Sequence, residues 1–269
     1  MTSPEKRWRI YPQNTELCEK ISTHLNIPPI ISQLLLNRGI TSLSSAIDFL
    51  DPTNDKIVNN FAEDTLKKAA DLLEDCLSKT GKIFIYGDYD VDGMTSTTIL
   101  VSALKKLGFK VKYHIPHRFN DGYGLNMEFI NKLLNQPPDI LITLDCGISN
   151  FKEIEKFKAH SSSKVIIMDH HTIPDKVPQA DAIINPKQLP QTNPLYNLCT
   201  AGIVYKFLEY YLRTYNKNID VQEYLDLASI GTIADVMPLT RENRKLVKLG
   251  LKNKVHSLRT GLKELLNHA

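Results

Sequence analysis

Residues 82–93, KIFIYGDYDVDG, join two kinds of sequence. The first part, 82–86 (KIFIY), is short, apolar and rich in β-branched and aromatic residues, which is the composition of a strand. The second part, Gly87-Asp88-Tyr89-Asp90-Val91-Asp92-Gly93, places three carboxylates within five residues, just before the helix-length segment 95–107. Outward from this stretch the same alternation recurs. Segments 110–115 (KVKYHI), 139–144 (DILITL), 164–168 (KVIIM) and 182–184 (AII) read as further strands, with helix-length segments such as 127–135 between several of them. Strands alternating with helices predict right-handed crossovers and a mostly parallel sheet flanked by helices, an α/β fold whose sites lie beyond the carboxyl ends of its strands.

The flanks are helical. Residues 16–50 carry apolar positions Leu17, Ile21 and Leu25, then Ile30, Ile31, Leu34 and Leu35, which predicts two helices separated by Pro28-Pro29, the second stopped at Gly39. Asp51-Pro52 closes that segment, and 61–77 predicts another helix. From Thr200 onward the chain again reads as mainly helical, ending in a charged helix. The expected organisation is an N-terminal helical segment over 1–60, an α/β domain over 61–243, and the start of a connecting C-terminal helix over 244–269.

Composition narrows the class without naming a function. The chain has 269 residues, 42% hydrophobic and 23% charged, with a formal net charge of +3, which permits a basic patch but does not demand one. No apolar run approaches the roughly 18–20 residues of a membrane span, and residues 1–10 lack the apolar core of a signal peptide. The four cysteines, Cys18, Cys76, Cys146 and Cys199, are scattered with no CxxC pair, which argues against a disulfide framework or a zinc site. The expectation is a reducing cytoplasm and no membrane association.

Three crowded carboxylates repel one another, and removal from water raises their pKa values further. A hard divalent cation with oxygen ligands would hold them together; the bland alternative is a solvated acidic turn. The spacing of Asp88, Asp90, Asp92 and Gly93 also matches the first half of an EF-hand loop, but its twelfth position is Ile99 instead of Glu, and a strand precedes it instead of a helix. Those two differences reject the EF-hand; a haloacid-dehalogenase-type nucleophile loop over Asp90-Val91-Asp92-Gly93 is the runner-up at this stretch, weakened because Met94 stands where Thr is usual. Three more ends carry ligand-type residues. Segment 139–144 runs into Asp145-Cys146-Gly147, segment 164–168 into Asp169-His170-His171, and the helical 225–233 (LDLASIGTI) into Asp235-Val236-Met237-Pro238. Cys146 reads as a small core residue, and His114 and His117 as structural or rim residues.

These four motifs, in this order, resemble those of the DHH phosphoesterase superfamily. The flanking text is similar to its RecJ-type exonucleases: Arg118-Phe119-Asn120-Asp121-Gly122-Tyr123-Gly124-Leu125, the Asn185-Pro186-Lys187 turn, 234–243 (ADVMPLTREN), and, near the N-terminus, Trp8, Pro12, 35–40 (LLNRGI) and Phe49-Leu50-Asp51-Pro52. One departure is Thr200-Ala201-Gly202, where the family has Gly-Ala-Gly; it is expected to alter a backbone approach at that turn.

The resemblance implies a phosphodiesterase that cuts single-stranded DNA from a 5′ end through a metal-activated water. It implies two divalent cations, Mn²⁺ preferred and Mg²⁺ possible. Asp90 and Asp145 would hold one, with Asp88 as ligand or support, and Asp92, Asp145, His170 and Asp235 the other. Asp169 would orient its neighbours, His171 would reach the scissile phosphate, and Arg118 with Gly122, Tyr123 and Gly124 would contact substrate. The alternatives are a DHH oligoribonuclease or cyclic-dinucleotide phosphodiesterase, a non-catalytic binding module, or a catalytic half that needs a partner chain. The family continues into a DHHA1-type domain and an OB-fold, so possible partners are single-stranded DNA, a separate chain carrying those domains, a single-strand binding protein or a helicase.

Overall fold

The computed structural model describes residues 12–54, 61, 63–253 and 259–268. Trp8 lies outside the described residues. The chain divides into two compact units, Met1–Lys56 and Ile57–Ala269.

The first unit contains three helices, α1 (Thr15–Leu25), α2 (Pro29–Asn37) and α3 (Leu43–Leu50). Asn14 caps α1 by accepting from the Leu17 amide at 3.1 Å. Pro28-Pro29 separates α1 from α2, with Pro29 at the first helical position, where its missing N–H costs nothing. Gly39, at φ +76°, ends α2 as the sequence predicts. The segment holds three helices instead of the expected two, because Ser42 opens a new one by accepting from the Ser45 amide at 3.1 Å. Ile21, Leu35 and Ala46, one from each helix, form the centre of this unit's core.

The second unit is built on β1 (Lys82–Gly87), β2 (Lys110–His114), β3 (Ile140–Leu144), β4 (Lys164–Met168) and β5 (Ala182–Ile184), all parallel in the order β2-β1-β3-β4-β5. Its described helices are α4 (Glu63–Ser78), α5 (Val91–Lys106), α6 (Met127–Leu133), α7 (Phe151–His160), α8 (Thr200–Thr214), α9 (Leu225–Ala234), α10 (Arg241–Asn253) and α11 (Thr260–Asn267). The two-residue period of a strand sorts its side chains onto two faces. Ile83, Ile85, Ile140, Ile142, Leu144, Ile166, Met168 and Ile184 pack with apolar residues of α4, α5, α8 and α9. Phe84, Tyr86, Leu141, Val165 and Ile167 face the other way, onto Ile130, Leu133, Ile154 and Phe157 of α6 and α7. A sheet covered on both faces explains why its central strands are apolar throughout instead of alternating. Strand β2 lies at an edge and carries exposed Lys110 and Lys112, charges that discourage pairing with another sheet.

The chain leaves β1 toward β2 on one side, while β3 lies on the other. The strand order therefore reverses between β1 and β3, the place where open parallel sheets form a crevice beyond their carboxyl ends. Among the described residues, no helix is long and apolar enough to cross a membrane.

Candidate metal centre

Three neighbouring strands end in aspartate at the crevice, each fixed by one more rung of the backbone ladder. The Asp88 amide after β1 donates to the Leu144 carbonyl at 3.2 Å, the Asp145 amide after β3 to Met168 at 3.0 Å, and the Asp169 amide after β4 to Ile184 at 3.2 Å. The backbone is thus pinned up to the residue that carries the carboxylate. Past Asp88 the chain turns into α5, where Asp90 caps the helix by accepting from the Gly93 amide at 2.9 Å. Asp92, in the first turn of α5, is buried, and both its oxygens are held by the N-terminus of α8: the Thr200 amide donates to Oδ2 at 2.6 Å and the Ala201 amide to Oδ1 at 2.8 Å. The amides without an intrahelical partner and the positive dipole at a helix N-terminus suit a carboxylate there.

The His170 ring joins the two sides. Its Nε2 lies 3.3 Å from Asp145 Oδ1, 3.4 Å from Asp235 Oδ2 and 3.9 Å from Asp92 Oδ2. Asp235 comes from the C-terminal end of α9. Ligand atoms fall into three groups, each within 4.8 Å: Asp88, Asp90 and Asp145; Asp92, His170 and Asp235; and Asp145, His170 and His171. Asp145 belongs to two of them. It adopts φ +62°, an uncommon backbone state for a residue with a side chain and one that clusters at functional sites.

Asp169 is buried and acts on its neighbours. Its Oδ1 accepts from His171 Nδ1 at 2.7 Å and from the His171 amide at 3.1 Å, while Oδ2 accepts from the Ile148 amide at 3.0 Å. The other ring nitrogen of His171 lies 3.2 Å from the Tyr123 hydroxyl. Tyr123 stands edge-on to Tyr89 at 6.4 Å, and the Arg118 guanidinium lies 5.5 Å from the Tyr89 ring. Arg118 and Tyr123 therefore reach the rim of the same crevice. Gly122 and Gly124, flanking Tyr123, both adopt φ +75°, which favours residues without a Cβ.

The electrostatics are those of a cluster short of positive charge. Burial pushes Asp88 up to about 6, helped by Asp90 and Asp145, with the Tyr89 and Gly124 amides offsetting only part of this. Burial and the Asp145 charge push Asp92 up to about 7. Asp90 and Asp235 are also raised, chiefly by burial. Burial acts on Asp145 in the same direction, but the hydrogen bond and charge of His170, with the charge of His171, outweigh it and hold Asp145 low. The hydrogen bond to Asp169 raises His171 to about 9.

The residues present fit divalent cations. Both oxygens of Asp88 and Oδ2 of Asp235 are buried without a well-formed hydrogen bond among the described residues, a costly state that a cation would relieve. Carboxylates with one imidazole make a donor set suited to Mn²⁺ or Mg²⁺.

Some features of the site leave no mark in the sequence pattern. The amides of Thr200, Ala201 and Ile148 leave no trace in side-chain chemistry. The Thr200 hydroxyl, which donates to Asp145 Oδ1 at 3.0 Å, gave only the signal of its departure from the family pattern. Asn185 appeared only as part of a resembling turn; its Nδ2 donates to the His171 carbonyl at 3.0 Å. Cys146 is buried in the core under α6 and α7, its thiol pushed well up by burial. His114 stacks on Phe129 at 5.0 Å, and His117 accepts from the Phe119 amide at 3.3 Å, so both serve local structure.

The chain is 36% identical to the single-stranded-DNA-specific exonuclease RecJ of Bacillus subtilis over 266 residues, covering 99% of this chain and 33% of that one. It superposes on RecJ of Thermus thermophilus in complex with Mn²⁺ with a TM-score of 0.80 at 31% identity, covering 97% of this chain and 37% of that one. Against the Mg²⁺ complex the TM-score is 0.68 at 28% identity, covering 97% and 34%. The chain thus spans about a third of the length of these relatives. The model of the DHH family N-terminal domain matches residues 82–232. That span opens with β1, runs into α9 and takes in every strand end of the crevice, and on this ground the chain belongs to the DHH family.

Proposed function

We propose that this chain is the catalytic part of a metal-dependent phosphodiesterase that hydrolyses single-stranded DNA as an exonuclease, acting from the 5′ end. The observation that carries the reading is Asp145, shared between two groups of ligand atoms at the switch point of the sheet. Asp90 and Asp145, with Asp88 beside them, would hold one cation; Asp92, Asp145, His170 and Asp235 would hold the second. Bound there, the cations would supply an activated water and neutralise charge building on the phosphate.

The chain's own residues do the rest. The α8 amides fix the direction in which Asp92 points. Asp169 holds His171 by Nδ1 and so turns Nε2 toward the crevice, where it can donate to a phosphate oxygen or to the departing oxygen. Arg118, whose guanidinium lies 5.5 Å from the Tyr89 ring, would offer a planar fork to a phosphate. Tyr123, whose hydroxyl lies 3.2 Å from His171 Nε2, and the flanking Gly122 and Gly124 would lie along the strand.

The test uses a long 5′-labelled single strand. Cleavage should disappear with chelator and return with Mn²⁺. Asp145→Ala should lower it by more than about a hundredfold, beyond the loss typical of an outer hydrogen-bond partner. A folded Asp145→Ala chain with full activity would refute the assignment. Turnover of short RNA or cyclic dinucleotides in place of the DNA strand would favour an oligonucleotide phosphodiesterase.

A further inference from the structure

We infer that Thr200 is a positioning residue that ties the two halves of the metal centre together, its amide fixing Asp92 and its hydroxyl fixing Asp145. The inference rests on the metal-binding reading above. Thr200 is fully buried and is the first residue of α8. Its amide donates to Asp92 Oδ2 at 2.6 Å, and its Oγ1 donates to Asp145 Oδ1 at 3.0 Å. Asp92 belongs to the group with His170 and Asp235, and Asp145 to the group with Asp88 and Asp90. One residue therefore touches a carboxylate from each group, through two different atoms.

Several features make this hydroxyl more than a local cap. Ser and Thr at a helix start usually bond to amides of their own helix, whereas this hydroxyl turns to another element. Position Cys199, the N-cap of α8, makes no side-chain capping bond either, so the start of α8 serves the carboxylates. The direction of the bond is settled by chemistry: an ionised carboxylate only accepts, so Thr200 donates. It occupies one lone pair of Oδ1, the oxygen that also faces His170 Nε2 at 3.3 Å. Without the hydroxyl, His170 would be the stronger remaining partner of Asp145. The carboxylate would then turn toward the Asp92–His170–Asp235 side and away from Asp90. The cation shared by Asp90 and Asp145 should suffer most.

The experiment compares the chelated chain with Thr200→Val, which keeps the shape and removes the hydroxyl, and Thr200→Ser, which keeps the hydroxyl. Each is titrated with Mn²⁺ by calorimetry and followed by electron paramagnetic resonance, and the fold of each is checked by circular dichroism. The wild type should take up two ions and show a spin-coupled signal. Thr200→Val should bind one of the two about ten- to a hundredfold more weakly, the range for loss of an outer partner, and lose the coupling. Thr200→Ser should restore both. If Thr200→Val does not fold, Thr200→Ala takes its place against Thr200→Ser. Wild-type affinity and coupling in the hydroxyl-free variant would overturn this role and leave the metal reading standing, as would a Ser variant no better than Val. A wild-type chain that takes up no Mn²⁺ would remove both.

Discussion

Asp88 shows at one residue what the site does to the protein. Both of its oxygens are buried without a well-formed hydrogen bond among the described residues, and burial pushes it up to about 6. At pH 8 the metal-free fold therefore holds an ionised carboxylate that would be more stable in water. Asp88→Asn should raise the stability of the chelated chain by roughly 1–3 kcal/mol, while reducing the further gain on adding Mn²⁺. Thermal melts in chelator and in Mn²⁺ measure both effects, and a lower melting temperature for chelated Asp88→Asn would contradict the account. The identity of such carboxylates was legible in the sequence because each follows an apolar strand directly. The partners of Asp92 were not: it is held by backbone amides from a helix 108 and 109 positions away, and an amide looks the same under every side chain. The hydroxyl of Thr200 was visible only as a departure, expected to change a backbone approach, and the structure shows a hydrogen bond to Asp145.

At the scale of elements, the site depends on where α5, α8 and α9 meet. Gly231 of α9 sits at that junction: a Cβ there would lie 2.6 Å from Thr95 Oγ1, 2.7 Å from Ala201 Cβ and 2.9 Å from Asp92 Oδ1. Helix propensity alone would favour Gly231→Ala by about 1 kcal/mol. Crowding against Ala201 should reverse that sign, because moving α8 draws its amides off Asp92. The expected result is a lower melting temperature together with weaker Mn²⁺ binding, checked by melting and titration; a stabilised variant would show that the junction has slack. A second clamp lies beyond β4, where the Asp181 carboxylate accepts from the Val165 amide at 2.9 Å and pairs with Lys158 of α7 at 2.6 Å and Lys164 at 3.3 Å. Burial pushes Asp181 up, but Lys158 and the Val165 amide outweigh it and hold it below 3.8. A carboxylate depressed in the fold stabilises it above its unfolded pKa, and that contribution is lost as pH falls through the folded value. Asp181→Asn should therefore cost about 1 kcal/mol at pH 7 and progressively less in acid below pH 3.8, read from urea melts across pH. The central strands of this sheet were legible as apolar runs because both faces are covered. The third helix of the first unit was not, since its start depends on the Ser42 side chain bonding the Ser45 amide, a local choice that apolar spacing does not record.

Across the α/β unit, the strand ends of the sheet and three helix ends, those of α5, α8 and α9, converge on a cluster that repels itself. The packing must hold Asp88, Asp90, Asp92, Asp145 and Asp235 close although burial pushes every one of them up, and only at Asp145 do His170 and His171 outweigh it. A cation that binds the folded chain and not the unfolded one stabilises it by mass action, about 2.7 kcal/mol at a hundred times its Kd. For a chain of this length that corresponds to a rise of roughly 5–10 °C in Tm. The donor set orders the ions. His170 Nε2 faces three carboxylates, and an imidazole favours Mn²⁺ over the harder Mg²⁺ and Ca²⁺. At equal concentration Mn²⁺ should therefore raise Tm most. His170→Ala should lower the Mn²⁺ shift toward that of Mg²⁺, because of the proposed ligands of that cation only the carboxylates of Asp92, Asp145 and Asp235 then remain. Melts of wild type and His170→Ala in chelator, Mg²⁺, Ca²⁺ and Mn²⁺ test this directly. An Mn²⁺ preference undiminished in His170→Ala would mean that the ring is a structural bridge between Asp145 and Asp235 and that selectivity arises among the carboxylates alone.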